Sequence, residues 1–171
     1  MKTIQPKFLT EDIADLAVST AIQIMGGSLI TDQFKRQACH IVILVPEMKD
    51  DGLQYADWPV YQLQPHKLYE RSYGEKIEWS AEYDNIARCK ALQLWHDRND
   101  GSATILPHLL FPGDTPFWGG VKRDGIVVAC SGVQPWLDRM LSGIVADLCI
   151  GLAFEAWQKS EDKKNDVDFL T

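Results

Sequence analysis

Apolar residues recur along this chain at helical spacing in some stretches and as short dense runs in others, and each change of pattern marks an element. Thr10 can cap a helix, and Glu11 and Asp12 behind it suit the positive end of a helix dipole. Leu9, Ile13, Leu16, Ala17, Thr20, Ala21 and Ile24 follow at helical spacing until Gly26–Gly27 stops the pattern. Residues 28–36 are ambiguous. Residues 39–45 are dense in β-branched side chains and stop at Pro46, which predicts a strand buried on both faces. Asp51–Gly52 signals a turn, and residues 53–63 are aromatic enough for a hairpin partner, with Pro59 marking an edge or a bulge. Residues 64–77 show no clear period and read as an irregular insertion.

Ser80 is the expected cap of a second helix that runs to about Asp97, with Tyr83, Ile86, Ala87, Ala91, Leu94 and Trp95 on one face. Asn99–Asp100–Gly101 reads as a turn, and residues 102–116 as loop with a short extended piece at 103–110. Residues 117–157 form a strand–turn–strand–loop–helix unit. Gly119–Gly120 opens it, Lys122, Asp124 and Gly125 make a tight turn, and residues 126–130 are an apolar run. After a break at Ser131–Gly132, Pro135 suits the first turn of a long helix. Leu137, Met140, Leu141, Ile144, Val145, Leu148 and Leu152 form its apolar stripe, while Gly143, Ala146 and Gly151 leave room for close approach. The order helix, hairpin, helix, loop, hairpin, helix predicts an α+β domain over residues 1–158, with both hairpins in one antiparallel sheet. Residues 159–171 form a charged tail, expected to be mobile or to dock on a partner subunit.

Composition narrows the function classes. The 171 residues carry a net charge of −7, which disfavours nucleic-acid backbones, and no basic run offsets it. No apolar segment reads as approaching the ~20 residues of a membrane span, and the N-terminus lacks a signal-peptide build, so a cytoplasmic location is expected. Cys39, Cys89, Cys130 and Cys149 lie far apart with no CxxC or Cys/His spacing, which predicts buried free thiols and neither a metal site nor a disulfide framework.

Nucleotide-binding and hydrolase motifs are absent. Lys90 lies close to the apolar stripe of the second helix, either as a snorkelling lysine or as a cation held at a pocket wall. Gly119–Gly120 lets the backbone approach another strand or a ligand. Ser131–Gly132 either caps the following helix or offers N–H groups to a carboxylate or phosphate. Asp138 complements the dipole of that helix, a role that suffices for it, or else orients a ligand group. His40 reads as a core or edge histidine, His66 as exposed, and His96 as a cation at a helix C-terminus. His108, in an apolar loop that runs to Trp118, is either structural or a ligand for a metal or haem iron.

LTEDIADLA, DNIARCKAL with its Lys90–Ala91 pair, and LFPGDTPFWGGVKRDGIVVACSGVQPWLDRM together resemble, in order, segments of GlcG/HbpS-like proteins, the group that includes the C-terminal domain of PduO. A more distant likeness is to the UPF0303 family. The resemblance covers about two thirds of the chain and implies a profilin-like central antiparallel sheet flanked by helices. It also implies dimers or larger homo-oligomers, and haem or a related cofactor in some members. The chain departs from the family over residues 47–80, and its first helix carries no histidine to ligate haem. The leading expectation is a non-catalytic small-molecule-binding protein, with Lys90, His108, Trp118, Gly119, Gly120, Ser131 and Gly132 as candidate ligand contacts. The alternatives are an oligomeric assembly protein without a functional pocket, and an enzyme acting on a small carboxylate through Lys90 and the Ser131–Gly132 N–H groups.

Overall fold

The first helix forms as its capping signals require. A computed structural model describes residues 3–49, 63–99 and 106–170. After a short strand β1 (Thr3–Ile4) comes α1 (Glu11–Met25), whose first turn is capped by the Thr10 hydroxyl and whose C-cap is Gly26. β2 (Cys39–Lys49), β3 (Gln64–Tyr73), α2 (Tyr83–Trp95), β4 (Gly120–Arg123), β5 (Ile126–Ser131), α3 (Pro135–Lys159) and α4 (Glu161–Lys164) follow. Among the described residues the five strands join in one antiparallel arrangement, with β2 central, β3 on one side of it, and β5 then β4 on the other. The fold is α+β, with the profilin-like layering of helices on both faces of an antiparallel sheet.

Strand alternation divides the interior into two cores of unequal size. Ile41, Ile43, Val45, Val128 and Cys130 face α1 and α3 and join the larger cluster with Val18, Met25, Leu141 and Val145. Val42, Leu44, Val127 and Ala129 face α2 and meet mainly Ala87, Ala91 and Leu94. Asp124 and Gly125, both at positive φ (48° and 86°), make the tight turn between β4 and β5.

Several expectations change. β2 does not stop at Pro46 but runs on to Lys49, with Pro46 opposite Pro65 in the ladder and pairing to β5 already ended at Leu44. Proline's φ suits an extended chain, so it continues the strand where no neighbour needs its missing donor. Residues 64–73, read as irregular, are instead the hairpin partner β3. Its sequence is polar because it lies outside β2: Tyr69 and Arg71 reach Asp15 on α1, while Glu70 and Ser72 bond His40 on the opposite face. The expected hairpin strand at residues 53–63, except Leu63 itself, the Asp51–Gly52 turn and residues 100–105 lie outside the described residues.

Ser80 does not cap α2. The N-cap position is Glu82, which makes no side-chain cap, and the Ser80 hydroxyl bonds the Tyr83 phenol at 2.8 Å. The extended piece expected around 103–110 is, over its described part, a 3-10 turn at Pro107–Leu109. α3 is longer and more apolar than anticipated. Its most apolar 18-residue window has a mean hydropathy of 1.5, enough by length and composition to cross a membrane, and 28% of that window is buried. Here its Leu141, Val145, Ala146 and Cys149 side pack into the larger core. Beyond it the charged tail begins as a capped turn of helix, α4, and Asp162 pairs with Lys7.

Glu70 clamps β3 to α2. It accepts from Arg88 Nε at 2.8 Å, from His40 at 3.2 Å and from Lys67. Arg88 first, with Lys67 and His40 adding, holds its carboxyl down to about 2 from an ordinary 4.5. A depressed folded-state value contributes stability that is present above the ordinary value and lost as pH falls through the folded one. Denaturation midpoints measured across pH 4.5 to about 2 should therefore fall steeply in the wild type. In Glu70→Gln that part of the slope should disappear; an identical slope in both proteins would rule the clamp out.

Candidate functional site

Three segments converge where the sheet runs out at the start of β4 and the end of β5. From α2, Lys90 projects inward, with the residue only 1% exposed. Its Nζ donates to the Cys130 carbonyl at 2.9 Å and to Asp138 Oδ2 at 3.2 Å. Asp138, on the first turns of α3 and 3% exposed, also accepts the Val133 N–H at Oδ1, at 3.1 Å. Lys90 and Asp138 therefore join helices that lie on opposite faces of the sheet.

Gly119 makes the meeting possible. A Cβ there would stand 2.7 Å from the Asp138 Cβ, 2.8 Å from the Pro135 carbonyl and 3.3 Å from Lys90 Nζ, and its φ of +123° disfavours any side chain. The Ser142 hydroxyl, with one proton to give, donates to the Asp138 carbonyl at 2.7 Å and lies 3.2 Å from the Gly119 carbonyl, so it sits between the two segments. Gly120 serves α2 instead, since a Cβ there would meet Leu94 Cδ1 at 2.5 Å. The glycine pair thus admits side chains of two helices, where the sequence left a strand or a ligand open.

Burial raises the carboxyl of Asp138 above its usual range, opposed by the charge of Lys90 and by the bonds from Val133 and Lys90. A dipole role does not account for a carboxylate this deep; its specific partners do. The snorkelling reading of Lys90 fails for the same reason, because the ammonium ends on buried acceptors and not in water.

Beside this pair lies a cleft of about 270 Å³. Lys90 and Asp138 form part of its wall, with Tyr83, Ile86, Phe117, Val133 and Pro135 as largely apolar lining and Arg36, Ser80 and Ser131 as polar lining. Gly132 sits at a φ of +134°, with Ala38 O and Tyr83 Cδ2 where its Cβ would be, so the break after β5 is packed shut behind the cleft wall. The Val133 N–H that follows it is taken by Asp138 and is not free for a ligand. Arg36 donates to the Val133 carbonyl at 3.3 Å and forms no ion pair among the described residues. Two side-chain atoms on chain neighbours of lining residues are buried without hydrogen-bond partners among the described residues: Trp79 Nε1, next to Ser80, and Gln134 Oε1, between Val133 and Pro135.

The loop that carries Phe117 is pinned to α2. Gln93 exchanges two 3.1 Å bonds with the Thr115 backbone, Arg98 pairs with Asp114, and Asn99 reaches the Phe117 carbonyl at 3.4 Å. This sets Phe117 at the cleft while leaving it 52% exposed.

Of the residues singled out from sequence, Lys90, Ser131 and Gly132 line the cleft, and Gly119 stands against its Lys90–Asp138 wall. Gly120 is buried against Leu94, and Trp118 and the exposed His108 are not among the lining residues. Nothing in the sequence marks Arg36, while Tyr83 stands out there only as part of a helix stripe and Phe117 only as the start of the 117–157 unit. Only proximity in the fold assembles them. Among the described residues no group of His, Cys, Asp and Glu is placed to hold a metal ion. Compared with known proteins, the chain matches no family model, no curated protein and no solved structure. Fold and site together define an α+β protein with a small cleft built on a buried lysine–aspartate pair.

Lys90→Met leaves the Asp138 carboxylate buried without its counter-charge, which should cost about 3–5 kcal/mol in denaturant unfolding. Adding Asp138→Leu should return most of it. The folded-state carboxyl of the single variant rises further above the unfolded value, so folding takes up a proton. The gap to wild type should then be largest at neutral pH and shrink on acidification. Gly119→Ala should match or exceed the loss in Lys90→Met. Gly125→Ala, whose Cβ meets nothing within 4 Å, should cost only about 1 kcal/mol through its positive φ. Equal losses at the two glycines would mean that Gly119 is not making room for the pair.

Proposed function

We propose that this is a non-catalytic small-molecule-binding protein whose ligand enters the cleft between α2 and the start of α3. The observation that carries the reading is the cleft itself: mostly apolar walls around a few fixed polar groups, the usual construction of a ligand site. Its roughly 270 Å³ suits a small metabolite. The site residues tell against a role in catalysis. Lys90 and Asp138 are committed to each other, the Tyr83 phenol to Ser80, and both ring nitrogens of His40, the register partner of Ser131, to Ser72 and Glu70. That leaves Ser131 without a base to activate it.

Haem does not fit this cleft. Among the lining residues Tyr83 and Lys90 are of types that can ligate haem iron, but the Tyr83 oxygen bonds Ser80 and the Lys90 ammonium is held by Cys130 and Asp138. His108 stands exposed in the 3-10 turn, outside the lining. The proposal therefore keeps the binding role and drops the haem candidate. Kinship with GlcG/HbpS-like proteins is proposed on the sequence resemblance and the agreement in order of elements. Self-association is proposed on the exposed Trp136 and Phe154 of α3, with Gly151 between them leaving room for a second copy.

A thermal-shift screen of a broad metabolite panel should raise the melting temperature of the wild type with a small set of related compounds. Ile86→Trp, which plugs the half-buried cleft wall, should abolish those shifts while the protein stays folded. A flat wild-type response, or shifts that survive the plug, would defeat the proposal.

A further inference from the structure

We infer that the cleft selects a small organic monoanion, a carboxylate carried on a compact apolar body. The inference rests on the small-molecule reading above and goes on to name the ligand class. Charge comes first. The lining holds two cations, Arg36 and Lys90, and one carboxylate, Asp138. Both Asp138 oxygens are occupied, Oδ1 by the Val133 N–H and Oδ2 by Lys90, so the acid has little left to offer a ligand cation. One positive charge remains in excess, and it belongs to Arg36. This local sign opposes the −7 of the whole chain, so the cleft is a positive spot in a negative field.

Hydrogen-bond inventory agrees with the charge. A lysine ammonium has three donors. Two of those on Lys90 are spent on Cys130 and Asp138, which leaves one N–H in a residue that lines the cleft. Arg36 spends one donor on the Val133 carbonyl at 3.3 Å, and its fork is otherwise open for a two-point contact with a carboxylate. α3 begins next to them with Gln134 at a cap position that makes no side-chain bond, and its first-turn N–H groups add partial positive charge.

The apolar side of the cleft sets the rest of the ligand. Tyr83, Ile86, Phe117 and Pro135 offer ring faces and aliphatic edges, and Phe117 is held at the cleft though half its surface is open to water. A ligand body lying against it would remove that surface from water. One excess cation matches a single negative charge, which favours a carboxylate over a phosphate monoester.

Calorimetric titration with benzoate, benzamide and phenyl phosphate separates charge from shape, with phenylacetate and butyrate as second bodies. The carboxylates should bind, with benzamide about tenfold weaker or worse, as the loss of a charge-assisted hydrogen bond implies, and phenyl phosphate no tighter than benzoate. Arg36→Gln should remove the preference for benzoate over benzamide, and Arg36→Lys should retain most of it. Benzamide binding as tightly as benzoate, or an Arg36→Gln protein that still discriminates, would overturn the carboxylate class. Tighter binding of phenyl phosphate would replace it with a dianion. If no carboxylate binds while other members of the metabolite panel still shift the melting temperature, the class is wrong and the binding reading stands. If nothing in the panel shifts it, the binding reading falls as well.

Discussion

The ion pair between Lys90 and Asp138 is the constraint on which the layering depends. It links a helix on one face of the sheet to a helix on the other, past the point where the edge strand begins. Taking two charges out of water costs several kcal/mol each, and mutual attraction offsets this only when the remaining donors and acceptors are filled. Here they nearly are: Cys130 supplies a carbonyl to the ammonium and Val133 an N–H to the carboxylate. Gly119 supplies the space. The pair, the glycine and the break after β5 thus act as one unit, and a change at any of them reaches the others.

The pair matters more on one side than on the other. α1 and α3 share a broad apolar core with the sheet, built from Val18, Met25, Ile43, Val128, Leu141 and Val145 among others. α2 has a thin one, in which two of its three buried apolar contacts are alanines. Alanine buries little surface, so α2 is held to the sheet in large part by polar anchors: Lys90 on the Cys130 carbonyl of β5, and Arg88 with Glu70 of β3. Such anchors are directional. They fix where α2 lies while leaving unfilled space beside it, and the cleft opens in that space.

This division also explains what could be read from the chain and what could not. α1 was legible from its Thr10 cap and Gly26 stop more than from its stripe, since Leu16 and Ile24 are exposed and the buried face is Ala14, Ala17, Val18, Ala21 and Met25. β5 was legible as a short continuous apolar run, α3 from its apolar stripe, and the β4–β5 turn because Asp–Gly has few other uses. β3 was not. A strand outside β2 that exchanges polar bonds with both helical layers has no apolar alternation to show. Lys90 was marked only as a lysine unusually close to an apolar stripe. Its partner is 48 residues further on, and no local pattern predicts that distance. Asp138 had a sufficient local explanation in the helix dipole, and that explanation hid the pair. Gly119–Gly120 was recognised as a place of close approach, but which neighbour approached is a tertiary fact. Tyr83 falls on the apolar face of its helix and Phe117 at the start of the 117–157 unit, but Arg36 lies in an ambiguous stretch and nothing local brings the three together, so the cleft could be anticipated in outline and not in its lining.

An apolar pair of similar volume in place of Lys90 and Asp138 would carry no desolvation cost and need not be less stable. What it would lack is a charge arrangement at the wall of the cleft. With both acid oxygens occupied, Asp138 neutralises Lys90 without competing for a ligand, and the ammonium keeps an N–H pointed by two fixed acceptors. Arg36 then contributes the uncompensated charge from the exposed side, where holding it costs little when the cleft is empty. A buried cation alone would be expensive, and an exposed one alone would be screened by water. Placing one of each around a small apolar cleft is what the proposed anion site requires, since neither residue could supply a preorganised positive charge by itself.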